Sequence, residues 1–390
     1  GPGDPYGVRM ASTQSPDLAR TVAVASLKGG VGKTTLSSAV ASEAARLGAK
    51  VLVIDADSQS SLTTSQFGLP DTGLRTVGDV IVDGTPGAAA TALLAAPDEW
   101  QPAEGLPWER GGALAPDGAI AVIPGNPGLD AAITEVSTKP RAEDRLANAL
   151  RGIADQFDLV LIDSGPNSDR RAWTITLAAG HVVVPTFAEA PSVDGLDKTV
   201  QFLDEFARMA HPDLRLMGTV VSRYNAQKHQ IMGEVMQDMR AYLADPGIDV
   251  SAPPFTPVTH SGIDGVVPDT TTGFVLFPEV IPDASYLMSA HKDRLPVHHG
   301  LIPRDGEDPD PAALAFFRRA QLASTRAIVL RYTRLALRVL LATGSPALPR
   351  IAEAMSDRPI DGLWDEVGLT GDGTGLPRAK DAASTDGGTK

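Results

Sequence analysis

The feature that most constrains the fold of this chain is a glycine-rich stretch, KGGVGKTT, at residues 28–35. It follows a short apolar run, TVAVAS, and precedes a segment with helical character that ends at Gly48. Glycines allow the backbone to bend so that its N–H groups point at phosphate oxygens, and the N-terminus of the following helix adds a favourable dipole. The stretch therefore predicts a phosphate-binding loop between a strand and a helix.

Buried-strand patterns recur along the chain and alternate with helical segments. The run KVLVIDAD follows the first helix, so residues 21–57 are predicted to form a strand, a loop, a helix and a second, parallel strand. Further strands are predicted at residues 119–124, 157–164, 181–187, 214–222 and 273–281, and further helices at residues 142–154, 192–210 and 228–244. This alternation predicts an α/β fold with a doubly wound, mostly parallel sheet flanked by helices.

The chain of 390 residues is long enough for one large domain with insertions, and we expect that domain to span residues 20–345. Residues 83–118 are rich in alanine, glycine and proline, and residues 245–272 are similar, so both are expected to be insertions. Residues 1–19 are expected to be a tag remnant and a flexible N-terminus. Residues 371–390 are expected to form a disordered tail.

The segment 311–345 differs in charge from the rest of the chain. The chain has a net charge of −14, whereas this segment contains six arginines and no acidic residue. At about 100° per residue, most of these arginines fall within an arc of roughly 140°. They are Arg319, Arg326, Arg331, Arg334 and Arg338. We expect a long helix, or a close helix pair, whose basic face is either simply solvated or in contact with DNA.

The composition excludes several kinds of site. The chain has no cysteine, which rules out disulfides, iron–sulfur clusters and thiolate zinc sites. It has no uninterrupted apolar run of about 20 residues, so no transmembrane helix is predicted. His298 and His299 are expected to be surface residues, and no H-x-x-x-H or H-E-x-x-H pattern supports a metal site.

The stretch KGGVGKTT resembles the deviant Walker A motif of the ParA family of partitioning ATPases, within the wider ParA/MinD superfamily. The ordinary motif G-x-x-x-x-G-K-[ST] needs glycine at position 27, where this chain has Leu27. The resemblance implies a P-loop NTPase with ATP and Mg²⁺ as cofactors. It also implies that Lys33 serves the ATP of its own subunit, whereas Lys28 crosses a dimer interface to the nucleotide of the other subunit. A cation supplied in this way stabilises charge on the transferring phosphoryl group.

Carboxylates at strand ends extend the resemblance. The run VLVIDADSQSS is similar to the family motif D-x-D-P-Q-G, with Ser58 and Ser60 in place of proline and glycine. The similarity implies that Asp57 positions or activates the attacking water and that Asp55 lies near Mg²⁺ through water. The run FDLVLIDSGPN resembles the Walker B strand of the family, which implies that Asp163 holds the Mg²⁺ hydration shell.

The later part of the chain matches the family more weakly. The run VVVPTFAEAPSVDGL matches the family segment V-P-x-x-x-E…G-L at Pro185, Glu189, Gly195 and Leu196. The resemblance implies catalytic roles for Lys28, Lys33 and Asp57. It implies Mg²⁺-binding roles for Thr34, Asp55 and Asp163. It implies nucleotide contacts from Lys28, Gly29, Gly30, Val31, Gly32, Lys33, Thr34, Thr35, Arg223 and Pro282. Arg223 either contacts the nucleotide or closes a turn.

The resemblance also implies a function. ATP is expected to join two copies of the chain into a homodimer that binds double-stranded DNA without sequence preference. A ParB-like centromere-binding partner is expected to stimulate slow ATP hydrolysis, so that plasmid or chromosome DNA is segregated. The protein is expected to be cytoplasmic and nucleoid-associated. DNA contacts are expected from the arginines of the segment 311–345 and from Lys292 and Arg294, which lie where relatives carry basic residues.

Other functions of the superfamily fit the sequence differently. A ParA-like ATPase that positions a protein cargo on the nucleoid has the same motifs, so the sequence does not separate it from DNA segregation. MinD-type enzymes end in a short basic amphipathic helix that inserts into lipid, whereas this chain ends in a stretch rich in Gly, Ser, Thr and Asp, so no membrane partner is expected. Iron–sulfur members need cysteines, which this chain lacks.

Overall fold

The computed structural model describes eleven stretches of the chain. They are residues 18–70, 72–166, 170–187, 191–222, 258–260, 270–272, 275–276, 281, 290, 292–301 and 314–357. The expectations for residues 1–17, for the helix at 228–244 and for the tail at 371–390 lie outside these stretches, as does most of the segment 245–272.

A sheet to which the described stretches contribute eight strands lies at the centre of the fold. Its strands are β1 (Thr21–Val24), β2 (Lys50–Ala56), β3 (Leu94–Ala95), β4 (Ala119–Ile123), β5 (Leu159–Ser164), β6 (His181–Phe187), β7 (Arg215–Ser222) and β10 (Val275–Leu276). Their spatial order is β10-β7-β6-β1-β5-β2-β4-β3, and only the β3–β4 pair is antiparallel. The prediction of a doubly wound, mostly parallel sheet is confirmed. A separate antiparallel pair joins β8 (Val258–His260) to β9 (Thr270–Thr272).

Helices cover both faces of the large sheet. They are α1 (Lys33–Leu47), α2 (Val77–Asp83), α3 (Leu129–Val136), α4 (Arg145–Ala149), α5 (Arg170–Leu177), α6 (Pro191–Ala210), α7 (Leu314–Ala342) and α8 (Leu348–Asp357). Because alternate residues of a strand point to opposite faces, Val22 and Val24 pack in one cluster with α1 and α7, whereas Ala23 packs in a second cluster with α2 to α6. The strand order turns back at β1, and ligands bind parallel sheets at the carboxyl ends of strands beside such a point.

One of the helix predictions needs correction. The predicted helix at 142–154 is broken into a 3₁₀ turn at Ala142–Asp144, the short helix α4, and a second 3₁₀ turn at Ala154–Gln156. The break precedes Gly152, whose φ of 73° is incompatible with a continuing right-handed helix. Helices α2, α3 and α5 were not among the predicted helices. The predicted C-terminal helical segment is confirmed as α7, a single helix of 29 residues, followed by α8.

The segment 83–118 is more closely built into the domain than an insertion of irregular structure would be. It forms 3₁₀ turns at Ala88–Ala92, Asp98–Trp100 and Trp108–Arg110, and it supplies the edge strand β3. The Trp100 and Trp108 side chains are 2% and 5% exposed. Trp100 packs edge-on against Phe67 at 4.7 Å between ring centroids, and its Nε1 donates to the carbonyl of Arg294 at 3.0 Å. Two buried tryptophans account for this docking, because large aromatic rings dominate the energetics of burial.

A buried polar cluster joins α1 to the C-terminal part of the chain. The carboxylate of Glu43 accepts hydrogen bonds from Arg46 Nε and Nη2 at 3.1 and 2.9 Å and from Thr333 Oγ1 at 2.7 Å. His298 Nδ1 lies 2.9 Å from the second Glu43 oxygen. The guanidinium of Arg46 also lies 3.4 Å from the ring centroid of Trp108. The expectation that His298 lies at the surface is therefore wrong: its side chain is 1% exposed because it is held by Glu43, and His299 is half-buried.

The charge states in this cluster follow from burial and pairing. Burial by itself would raise the pKa of Glu43, but the charge of Arg46 and the hydrogen bond from His298 outweigh it and lower the pKa to about 2. Burial lowers the pKa of His298 in spite of Glu43. At neutral pH the cluster is therefore a carboxylate–guanidinium pair with a neutral imidazole that donates its Nδ1–H.

Candidate functional site

The predicted phosphate-binding loop lies at the carboxyl end of β1 and leads directly into α1. Gly30 and Gly32 have φ of 72° and 85°, a left-handed conformation that glycine adopts without strain. Gly32 is the N-cap of α1 and offers no side chain to its first N–H groups. Those N–H groups and the helix dipole make this end of α1 suited to an anion.

Lys33 points into the loop and is surrounded by opposite charge. Its side chain is 6% exposed, and its Nζ lies 3.5 Å from the carbonyl oxygen of Lys28. Burial lowers the pKa of Lys33, and the negative charges of Asp163 and Asp57 oppose that shift. The loop therefore holds a buried cation between its backbone and the strand-end carboxylates.

Two of those carboxylates lie side by side. β2 and β5 are neighbouring parallel strands, and their register pairs Asp55 with Asp163, both fully buried. Burial, and secondarily the charge of Asp55, raises the pKa of Asp163 to about 7. Burial likewise raises the pKa of Asp55 to about 6. A pair of this kind is costly to keep ionised, and a nearby cation relieves that cost.

The surroundings of Asp163 fit a hard cation. One carboxylate oxygen accepts a hydrogen bond from Ser37 Oγ at 2.9 Å, and the nearby Thr34 side chain, like Ser37, acts to lower the pKa of Asp163 against the effect of burial. The other oxygen is buried and has no hydrogen-bond partner among the residues that the structure describes. Hydroxyl and carboxylate oxygens are the ligands that Mg²⁺ prefers. The described residues contain no group of three or more His, Cys, Asp or Glu side chains that could hold a metal, so an ion here would need water and a ligand to complete its shell.

Asp55 is fixed by residues that the sequence analysis did not identify. Thr63 donates to its Oδ2 through both the backbone N–H, at 2.8 Å, and the hydroxyl, at 2.6 Å. The N–H of Gly125 donates to the Thr63 hydroxyl at 2.8 Å, and a Cβ on Gly125 would lie 2.8 Å from Asp55 Cγ. Thr63 belongs to a single π-helical turn, Leu62–Gln66, a conformation that is frequent at functional sites. No local sequence pattern marks Thr63 or Gly125 as partners of Asp55.

Asp57 lies just beyond β2 in a tight turn. Its Oδ1 accepts the N–H of Gln59 at 3.0 Å, and its carbonyl accepts the N–H of Ser60 at 2.9 Å. Ser60 stands where the similar motif has glycine, and it adopts a φ of 51°. The turn thus keeps the left-handed conformation that glycine favours, in spite of the change to serine. Asp57 stays half-buried and near Lys33.

Lys28 is half-buried at the start of the loop and lies against the neighbouring strand and helix. Its Nζ is 5.7 Å from the ring centroid of Phe187, at the end of β6. The loop is also tied to β7, because Ser222 Oγ donates to the carbonyl of Val31 at 3.0 Å. The structure therefore brings residues 28–35 together with the three aspartates. Arg223, Pro282 and Glu189 lie outside the described residues, so their roles stay predictions.

The basic residues predicted to contact DNA fall into two groups. Lys292 and Arg294 are exposed, and so is Arg326 on α7. Further along α7 the basic face is partly covered, so its arginines are less accessible than their helical arc alone predicts. The half-buried members are Arg331, Arg334 and Arg338. Arg319 lies within α7, but its side chain is outside the described part of the structure.

Comparison with known proteins identifies a family and several relatives. Residues 22–252 match the family described as the CobQ/CobB/MinD/ParA nucleotide binding domain. The chromosome-partitioning ATPase Soj of Thermus thermophilus is 30% identical over 226 residues, which cover 58% of this chain and 78% of Soj. The chromosome partitioning protein ParA of Caulobacter vibrioides is 28% identical over 237 residues, which cover 60% of this chain and 80% of that protein.

A solved structure supports the fold. Apo McdA from Cyanothece aligns with a TM-score of 0.55 over 82% of this chain and 99% of that one, at 18% identity. At this identity the likeness bears on the fold alone. Within the described stretches, no helix combines the length and the apolar character needed to cross a membrane.

Proposed function

Because the chain belongs to the CobQ/CobB/MinD/ParA family of nucleotide-binding domains, we propose that it is a ParA-type ATPase that dimerises on ATP, binds DNA without sequence preference and segregates plasmid or chromosome DNA. The observation that carries the proposal is the meeting of the buried Lys33 with three aspartates at the carboxyl ends of β2 and β5, with Lys28 at the start of the same loop. The names of the relatives Soj and ParA support the partitioning role. We place the protein in the cytoplasm, associated with the nucleoid.

The loop and α1 would bind the phosphates of ATP. With Gly30 and Gly32 in the left-handed conformation, backbone N–H groups of the loop would face the phosphates, and the buried ammonium of Lys33 would reach the β- and γ-phosphates. Thr34 and Asp163 would hold Mg²⁺, with Asp55 acting through water. When bound, Mg²⁺ supplies charge neutralisation at the phosphate oxygens.

Hydrolysis would depend on the placement of one water molecule. Asp57 is fixed by the turn that follows β2 and lies near Lys33, so its carboxylate can orient water toward the γ-phosphate. Phosphoryl transfer needs positioning and electrostatic stabilisation more than covalent chemistry from the protein. In this proposal the site is completed only in the dimer, and a ParB-like partner stimulates it. The protein alone would therefore hydrolyse ATP slowly.

DNA binding would use exposed basic residues from both copies of the dimer. Lys292, Arg294 and Arg326 are exposed, on a chain whose net charge is −14. Local basic groups on an acidic protein give binding that weakens steeply as salt increases, because it depends on releasing counterions from the phosphates. Doubling the number of such groups through dimerisation would make DNA binding depend on ATP.

The first test is the oligomeric state. We expect sedimentation velocity to show a monomer without nucleotide and with Mg·ADP, and a dimer with Mg·ATP. The Lys28→Ala variant should bind ATP and remain a monomer, because it lacks the cation offered to the other subunit. A wild-type chain that stays monomeric at saturating Mg·ATP, with ATP binding shown in parallel, would contradict the proposal.

A further inference from the structure

We propose that Gly195, Phe187 and Thr199 form a packing site, here called the Lys28 seat, that holds the Lys28 side chain in position to contact the nucleotide of the other subunit in the ATP-bound dimer. This inference rests on the proposed function, in which Lys28 contacts the nucleotide of the other subunit. The three are positioning residues: they hold the loop and its first lysine in place and touch no nucleotide themselves. The contacts that Lys28 and Leu27 make with β6 and α6 identify these three residues.

Gly195 lies inside α6, where glycine needs an explanation. Glycine is among the poorest helix formers, and Gly195 has no positive φ that would require it. A Cβ at this position would lie 3.3 Å from Cδ of Lys28 and 3.7 Å from its Cβ. The absence of a side chain at Gly195 therefore allows the aliphatic part of Lys28 to lie directly against the helix.

Phe187 holds the other end of the same side chain. It is the last residue of β6 and is 6% exposed, so its ring is fixed by packing. The Lys28 ammonium lies 5.7 Å from the ring centroid, within the range of a cation–π interaction. The Lys28 side chain is therefore held at two points, by packing of its aliphatic stem on Gly195 and by its ammonium over Phe187. Lysine side chains are otherwise among the most flexible.

Thr199 ties the backbone beside Lys28 to the same helix. Its hydroxyl accepts the N–H of Leu27 at 3.2 Å and donates to the carbonyl of Gly195 at 2.8 Å. The start of the loop is thus docked on α6 through the backbone, the lysine stem and the lysine ammonium. A group held in place before the partner arrives loses less entropy when the dimer forms, which favours association.

A double-mutant cycle in the absence of nucleotide tests the contact itself. In an ordinary helix Gly→Ala stabilises, so in the Lys28→Ala background we expect Gly195→Ala to raise the melting temperature by about 2 °C. In the background that keeps Lys28, the new methyl group meets the lysine stem, and we expect no increase or a decrease. Equal increases in both backgrounds would overturn the proposal, because additivity means that the two residues do not interact.

A second measurement tests the consequence for the dimer. With Mg·ATP we expect Gly195→Ala and Phe187→Leu each to raise the dimer dissociation constant by roughly tenfold, about 1.4 kcal/mol, while the affinity of the monomer for a fluorescent ATP analogue stays within about twofold. Lys198→Ala, which removes an exposed ammonium from the same helix, is the matched control and should leave both values unchanged. If both variants dimerise as the wild-type chain does, the proposal that these residues position Lys28 is wrong.

The two measurements separate this inference from the proposed function. If the wild-type chain fails to dimerise with Mg·ATP, the proposed function fails, yet the melting-temperature cycle still reports whether Gly195 and Lys28 touch. If the wild-type chain dimerises and the two substitutions change the melting temperature additively, the proposed function stands, but the inferred positioning of Lys28 is wrong.

Discussion

Glu43→Ala is expected to lower the free energy of unfolding by about 3–5 kcal/mol, because it leaves buried charge without its partner. Arg46 is 1% exposed and would lose both hydrogen bonds to the carboxylate. Thr333 and His298 would each lose a buried partner as well. Since these residues lie on α1, on α7 and in the 3₁₀ turn Val297–Leu301, the loss would loosen α7 from α1, the helix that begins at the phosphate-binding loop.

Urea unfolding followed by circular dichroism measures this effect. Glu43→Gln, which keeps the shape and an acceptor but removes the charge, should lose less than Glu43→Ala. Glu99→Ala is the matched control, because Glu99 is exposed, and it should change stability by no more than about 0.5 kcal/mol. A loss below about 1 kcal/mol for Glu43→Ala would mean that the cluster does not hold the helices together.

The Glu43 carboxylate also makes the stability of the protein depend on pH. Its pKa is lowered from 4.5 to about 2 in the folded protein, so its contribution to stability is present above about pH 4.5 and is lost as the pH falls through about 2. The wild-type chain should therefore lose stability relative to Glu43→Gln over this window, and the difference between the two should be constant above it.

Lys33→Ala is expected to weaken ATP binding by roughly 10- to 150-fold. A charged hydrogen bond in a buried site is worth about 1.5–3 kcal/mol, and the variant would also remove the cation that balances Asp163 and Asp57. Each 1.4 kcal/mol corresponds to a factor of about ten in affinity. The fold should survive, because the hydrogen bond that Ser37 makes to Asp163 remains.

Titration with a fluorescent ATP analogue measures this loss. Lys139→Ala removes an exposed lysine remote from the loop in sequence and should bind the analogue as the wild-type chain does. Binding by Lys33→Ala within a few-fold of the wild type would show that the buried ammonium does not face the phosphates.

The sequence was a good guide wherever function depends on local pattern. The loop, α1 and the strand ends bearing Asp55 and Asp163 were predicted because glycine spacing and apolar periodicity act over a few residues. The parallel sheet followed from the alternation of strands and helices. The side-by-side placement of the two aspartates depends on β5 lying between β1 and β2, which no local signal encodes.

Contacts between distant segments could not be predicted. His298 is buried because it meets Glu43, 255 positions earlier in the chain, and nothing in its neighbourhood marks it as a core residue. Thr63 was missed for a related reason: its partner Asp55 is reached only through a π-helical turn. The arginines of α7 were placed correctly on a helix, but periodicity does not tell how much of a helix face a neighbouring helix covers.

The measurement that tests the central claim most directly is the retention of a nonspecific DNA duplex with Mg·ATP, Mg·ADP and no nucleotide, at low and at high salt, for the wild-type chain and Lys28→Ala. An ATP-switched partitioning protein should retain the duplex only with Mg·ATP and less at high salt, and Lys28→Ala should retain none. Equal retention in all nucleotide states, or none at low salt under conditions where ATP drives dimerisation, would contradict the account.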